Sequence, residues 1–286
     1  VRRLLGLGDN TADLYVTSGT MYPGGNAVNV AALTARLGHE ASYLGVLGTD
    51  APGDLILGAL RAEGVDVSRC RRVPGPTSWS RVVHHENDRT FDGSDAGVSR
   101  AWDLGPEDHA WIGAHELTHT SLYSGLGPHL SAVRKAAPLL THDFSSEWTD
   151  EDLRATAPLL DVAFLSAADL DEDACVNLAR SVAALGTGVV IVTRGERGAL
   201  ALSDGRIHTQ AAEPADVVDT LGAGDAFIAG FLGVWTPTRD VPSALSAGAH
   251  EAARNCAVRG AFGHGAPIPE SHPAGGPERP SPADTR

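Results

Sequence analysis

The stretch Asp219-Thr220-Leu221-Gly222-Ala223-Gly224-Asp225 runs without a break into the apolar segment Ala226 to Leu232, and it constrains the chain more than any other. Glycines at 222 and 224 permit a tight turn and close approach of backbone to a ligand, and the apolar run beyond them reads as a buried helix. Such a helix start points unpaired amides outward. With the macrodipole they form a site for an anion such as the γ-phosphate of a nucleotide. Asp225 falls in the first turn, where a carboxylate can take the proton of an attacking hydroxyl. The amides of Gly222, Ala223 and Gly224 would then hold the charge on a transferring phosphoryl group. Helix capping is the competing assignment, and for an isolated Gly-x-Gly-Asp it would be the commoner one.

The remaining chain reads as a large α/β domain able to house that site. With 286 residues, 42% of them hydrophobic, it can bury one large core. Strands are expected at Leu4 to Leu7, Tyr43 to Leu47, Glu116 to Leu122, Leu139 to Ser145, Val162 to Leu165 and Gly188 to Val192. Ligands gather beyond the carboxyl ends of parallel strands, which places Asp9 and Asp13 near substrate hydroxyls, although Asp9-Asn10 suits a plain turn equally well. Gly24 and Gly25 precede a helix whose first turn carries Asn26 and Asn29. Amide side chains donate and accept, as sugar hydroxyls require; an N-cap role is the alternative for Asn26. Asp143 ends a strand facing the same cleft. Thr193, Gly195 and Gly198 form a turn that lets backbone and a hydroxyl approach phosphates, or one that only closes a hairpin. Alternation over Ser78 to Val83 and again at Thr90 to Asp92 predicts a β-hairpin, from which Arg89, Phe91, Asp92 and Asp95 reach substrate or stay solvated.

Several classes are disfavoured. A formal net charge of −14 argues against a nucleic-acid or anionic-membrane partner. No apolar run approaches the ~20 residues that span a bilayer, and the opening leads into a strand pattern, so a cytoplasmic protein is expected. Cys70, Cys175 and Cys256 form no Cys-x-x-Cys pair and suggest neither disulfide nor zinc. Gly8-Asp9-Asn10 is not a dinucleotide loop. Six of the seventeen prolines fall between Pro267 and Arg286, so residues 266–286 are expected to be a disordered tail beyond a domain spanning 1–265.

Asp-Thr-x-Gly-Ala-Gly-Asp at 219–225 and the Gly24 to Ala31 segment together resemble the two signatures of the ribokinase-like (PfkB) carbohydrate kinases. The resemblance implies a three-layer α/β/α fold with a mostly parallel sheet, and a small β lid from about 11–23 and 78–98 that closes over the sugar and can pair two copies as a homodimer. It implies ATP and Mg2+ as cofactors, a small sugar or sugar-amine substrate, and an adenine pocket lined by Gly248, Ala252 and Asn255. Magnesium positioning through water would fall to Asp169, with Ser166 where relatives carry asparagine, and K+ could sit beside Asp219 and the backbone around Gly260. Ser145 and Glu147 stand where many relatives have asparagine and arginine. Within the family, Asp143-Phe144-Ser145, Ser166-Ala167 and Asp88-Arg89-x-Phe91 look most like the fructoselysine 6-kinase subgroup, where acidic Asp92, Asp95 or Glu147 would suit a cationic amino-acid chain. The rivals are a kinase of a plain sugar or nucleoside, and a kinase-like sugar sensor or scaffold.

Overall fold

The computed structural model describes residues 3–85, 88–270 and 272; the side chains at 84–91 lie outside the described residues. Its main sheet has eight strands. Six run parallel, in the spatial order β4 (Glu40–Leu44), β1 (Arg3–Leu7), β9 (Leu117–Ser121), β10 (Leu140–Asp143), β11 (Val162–Ser166) and β12 (Val189–Thr193). Antiparallel β13 (Ala199–Ser203) and β14 (Arg206–Gln210) extend the far edge. Side-chain alternation along the strands divides the interior into two cores. Val190 and Val192 of β12 face one side with Leu5, Leu7, Leu140 and Leu165, whereas Val189 and Ile191 face the other with Leu4, Leu117 and Phe164.

Helices cover both faces. The first core is closed by α3 (Pro106–Gly113), α4 (Leu130–Ala136), α5 (Asp150–Thr156) and α6 (Glu172–Ala184), through Ile112, Val133, Leu153 and Cys175. The opposite face carries α1 (Asn26–Arg36), α2 (Ala51–Ala62), α7 (Ala223–Thr238) and α8 (Val241–Asn255). Helix α7 is fixed by a ladder of rings at i, i+4 spacing, Phe227, Phe231 and Trp235, with Phe164 of β11 set edge-on to Phe231 at 5.6 Å. At its other end Ala226 and Ala229 pack in one cluster with Ala27 and Ala31 of α1, and these small side chains let the two helix starts converge.

A second, five-stranded sheet has the order β15 (Ala266–Pro267), β3 (Thr20–Gly24), β2 (Thr11–Tyr15), β7 (Trp79–His85) and β8 (Asp88–Asp95). The antiparallel pair β7–β8 is the hairpin that the alternation suggests; residues 86–87 lie outside the described residues. The expected strand Tyr43 to Leu47 is instead two. After Leu44 the chain leaves β1, and Val46 begins β5 (Val46–Gly48), which pairs with β6 (Arg71–Val73). Gly45 allows the break, because the Tyr43 ring folds back into the space a Cβ there would need. At the carboxyl end, Ala266 and Pro267 pair with Met21 and Thr20, so ordered chain passes the boundary that composition suggested. The Tyr22 ring holds this crossing, packed against Gly260 and Gly265. Residues 271 and 273–286 of the expected tail lie outside the described residues.

Candidate active site

The chain runs from β1 outward to β4 on one side and later to β9 on the other, so the carboxyl ends of β1 and β9 form a topological switch point where a cleft opens. Asp9 follows β1, Ser121 ends β9, Asp143 ends β10, and α1 and α7 aim their first turns at the same place. Asp9 is the post around which this end is built. Its Oδ2 accepts from the Asn26 amide at 2.6 Å, and its Oδ1 accepts from the hydroxyls of Ser121 (2.7 Å) and Ser124 (2.9 Å). Those oxygens serve the N-terminus of α1 and the end of β9, so Asp9 sets the scaffold rather than offering a bare carboxylate to a sugar. The serines were invisible as partners in the sequence, lying more than a hundred residues away. Gly25, the N-cap of α1, has φ 101, and a Cβ there would lie 2.6 Å from the Asn10 Cα; only glycine lets the helix begin this close to β1.

Asp225 stands at the centre. Its Oδ1 accepts from Asn26 Nδ2 and its Oδ2 from Asn29 Nδ2, both at 2.7 Å. Asn26 Nδ2 also donates to Asp143 Oδ2 at 3.0 Å, so one amide joins two carboxylates. Asn29 is buried, with its Oδ1 lacking a partner among the described residues, an acceptor suited to a substrate hydroxyl. Asp13 is buried against Gly24, and Gly24 has no room for a side chain beside that carboxylate. Burial, then the neighbouring charges of Asp225 and Asp9, push the Asp143 carboxyl up to about 7 against the opposing hydrogen bond from the Ser145 amide. Behind Asn26 lies a residue the sequence reading missed: His119 of β9, fully buried, with Nε2 2.9 Å from Asn26 Oδ1 and Nδ1 2.8 Å from Thr141 Oγ1. A histidine in a strand covered on both faces has to find polar partners, which is the signal that could have found it.

Helix α7 begins at Gly222 with no side-chain cap. Gly222 sits at φ 78, and a Cβ on it would fall 2.5 Å from the Ala261 Cβ, so both conformation and contact demand glycine. Gly224 is exposed and faces open space, with nothing within 4 Å of where its Cβ would be. The preceding Asp219 is buried and braces the turn. Its Oδ1 accepts from the Leu221 amide at 3.0 Å, and its Oδ2 accepts from the Gly260 amide at 2.9 Å and from the Tyr15 hydroxyl at 2.6 Å. Tyr15 belongs to β2, so the second sheet is tied directly to the turn, and Tyr15, Val82 and Leu221 share a small apolar cluster there.

Thr193 ends β12 with its hydroxyl 3.2 Å from that of Ser166, and Gly195 (φ 59) follows in an open turn. Gly198 packs against the backbone of Gln210 at the end of β14. Asp169 is exposed in the turn after β11. Among the described residues no group of three or more His, Cys, Asp or Glu side chains is arranged to hold a metal ion. Gly248 is in close contact with Phe227, which fixes the α7–α8 crossing; Ala252 is partly buried beside it, and Asn255 donates to the Leu221 carbonyl at 3.3 Å. Arg89 and Phe91 belong to β8, but their side chains lie outside the described residues. Asp92 and Asp95 are exposed on β8, and Glu147 is exposed near Tyr123 and Ser145 at the rim beside Asp143. No helix among the described residues is long and apolar enough to cross a membrane.

A bracketed carboxylate in the first turn of an uncapped, glycine-started helix, at the switch point of a mostly parallel sheet, defines a small-molecule kinase of the α/β class. The family profile of the pfkB carbohydrate kinases matches residues 4–267, and the chain belongs to that family. It is 39% identical over 269 residues to the fructosamine kinase FrlD of Bacillus subtilis, covering 93% of this chain and 94% of that protein. It is 35% identical over 262 residues to fructoselysine 6-kinase of Escherichia coli, covering 92% and 100%. In fold it resembles Arabidopsis thaliana ribokinase solved with ribose and ATP, with a TM-score of 0.79 at 22% identity, covering 91% of this chain and 94% of the other. The fold is ribokinase-like, and the protein is a carbohydrate kinase.

Proposed function

We propose that this kinase transfers the γ-phosphoryl group of Mg·ATP to the 6-hydroxyl of fructoselysine or a related ketose bearing an amine. The observation that carries the reading is the Asp225 carboxylate, held by Asn26 and Asn29 at the open start of α7. Asp225 takes the proton of the attacking hydroxyl, and the amides around Gly222 to Gly224 receive the phosphoryl oxygens. Asp169, exposed in the turn after β11, would hold through water a magnesium ion brought in with the nucleotide, which would supply charge neutralisation at the phosphates. Asn29 Oδ1 and Asp13 hold sugar hydroxyls, and the five-stranded sheet acts as a lid excluding water. Thr193 and Gly195 border the phosphates, and the adenine lies towards Gly248, Ala252 and Asn255. The names of the relatives, a fructosamine kinase and a fructoselysine 6-kinase, support an aminated ketose over a plain one. Exposed Glu147, Asp92 and Asp95 supply negative charge for its cationic end.

Steady-state ADP release with Mg·ATP is measured against fructoselysine, fructose, ribose and adenosine, with and without K+. Turnover confined to fructoselysine is expected, and Glu147→Gln, Asp92→Asn or Asp95→Asn should raise its Michaelis constant. Preference for a plain sugar or nucleoside would overturn the acceptor. Activation by K+ would support a monovalent cation beside Asp219 and the backbone around Gly260, and a rate indifferent to K+ would remove it. A homodimer through the lid sheet is tested by sedimentation.

A further inference from the structure

We propose that His119 is a positioning residue for phosphoryl transfer. From the floor of the cleft it fixes the Asn26 amide so that both of its protons point at Asp225 and Asp143, and thereby aims the base. The inference rests on the reading of Asp225 as that base.

The hydrogen-bond chain allows only one polarity. His119 is fully buried in β9, and burial, followed by the adjacent His142, lowers its pKa to about 3, so the ring is neutral with one donor and one acceptor. Asn26 Oδ1, 2.9 Å from Nε2, can only accept; Nε2 therefore carries the hydrogen and Nδ1 accepts from the Thr141 hydroxyl at 2.8 Å. With Oδ1 committed to the ring, Asn26 Nδ2 must face the cleft, where its two protons go to Asp225 Oδ1 at 2.7 Å and Asp143 Oδ2 at 3.0 Å. Thr141, His119 and Asn26 thus form a relay of orientation from β10 through β9 to α1, ending on the carboxylate in α7. Each link is buried or partly buried, so water competes little for any of them.

An apolar ring at 119 would fill the same space but leave Asn26 Oδ1 buried without a donor. The amide would then tilt, Asp225 would lose one of its two bracketing donors, and its carboxylate would protonate more readily among its acidic neighbours Asp9 and Asp143. Among the described residues, Asp143 is joined to Asp225 through Asn26 with Asp9 beside it, and His119 lies behind Asn26. A merely space-filling histidine predicts none of these changes.

The test uses the full chain, with His119→Phe, His119→Gln and Asp225→Asn compared under saturating Mg·ATP and fructoselysine. His119→Phe is expected to lower kcat about 10- to 100-fold, as losses of supporting hydrogen bonds at preorganised sites do, and to move the acid limb of the kcat–pH profile upward. The Michaelis constant for ATP should stay within about twofold. His119→Gln, whose side-chain amide can donate from near the Nε2 position, should recover most of the rate. In the wild-type protein, 15N imidazole shifts should show protonated Nε2 and bare Nδ1 from about pH 5 to 8. Wild-type turnover in His119→Phe, an unmoved acid limb, equal loss in both variants, or a protonated Nδ1 would overturn the proposal. The tautomer and the glutamine variant decide it even if the phenylalanine variant fails to fold. Full turnover in Asp225→Asn would sink the base assignment instead, whereas a dead Asp225→Asn beside an unimpaired His119→Phe would remove only the positioning role.

Discussion

Gly222 and Gly224 are two residues apart in one turn, yet replacing each by alanine should move stability in opposite directions. At Gly222 an alanine must hold φ 78, which costs about 1–2 kcal/mol for an L-residue. Its Cβ would also lie 2.5 Å from the Ala261 Cβ and 2.6 Å from the Ala261 Cα. Relieving that overlap pushes the turn off the loop after α8, at about 1–3 kcal/mol for overpacking. The sum is a loss of about 2–5 kcal/mol, with the amides that start α7 displaced. At Gly224 the backbone is helical and the added methyl meets nothing within 4 Å. Removing glycine's extra unfolded-state freedom should then stabilise the protein by about 0.4–1 kcal/mol. In the proposed reaction that open space receives the phosphoryl group, so the same methyl should cost about 10²-fold in kcat/KM by displacing the reacting atoms. Urea unfolding and ADP release on both variants provide the readout. Gly222→Ala as stable as wild type would refute the strained contact with Ala261. Gly224→Ala with unchanged kinetics would remove the phosphoryl group from the mouth of α7.

Asp143 carries a pH signature. Its folded-state pKa, raised from 3.8 to about 7 by burial and by Asp225 and Asp9, lets the native state keep a proton the unfolded chain releases. The stabilisation is complete below the unfolded value and is lost as pH rises through about 7, by at most about 4 kcal/mol, and less because water reaches this partly open carboxyl. Asp143→Asn should therefore gain stability relative to wild type between pH 5 and pH 8 in urea titrations; a constant difference would contradict the shift. Tyr15→Phe removes one donor from buried Asp219, an expected loss of about 1–3 kcal/mol. If unfolding in urea shows no loss, the hydroxyl is not what ties the second sheet to the turn.

The parts of the site readable in the sequence were those lying in continuous motifs. Gly222, Gly224 and Asp225 declare a helix start with a carboxylate, and Asn26 and Asn29, one helical turn apart, declare a shared face. The alternating and continuous apolar runs likewise gave the strands, because burial on one or both faces leaves its period in the residues. What was not readable depends on contacts across the chain. Asn26 meets His119 at a separation of 93 residues, and Tyr15 meets Asp219 at 204. The place of Asp9 at the end of β1 is visible in the sequence and suggests a sugar ligand, while the serines that bond its oxygens are not visible there. Gly248 and Gly198 suggest room for a nucleotide, and no local pattern shows their contacts with Phe227 and the backbone of Gln210. The split of β4 from β5 was hidden because the Tyr43 ring returns over Gly45, a tertiary contact no local pattern records.

In the proposed reaction Asp225 deprotonates a primary hydroxyl of an amine-bearing ketose for attack on the γ-phosphorus. Phosphorus–proton correlation spectra of the product formed from fructoselysine and Mg·ATP test it directly, with Asp225→Asn run in parallel. The expected result is one phosphomonoester coupled to the C6 protons, formed about 10²–10⁴-fold more slowly by the variant while nucleotide and sugar still bind. A phosphate coupled to any other carbon, or equal rates in the two proteins, would contradict the account.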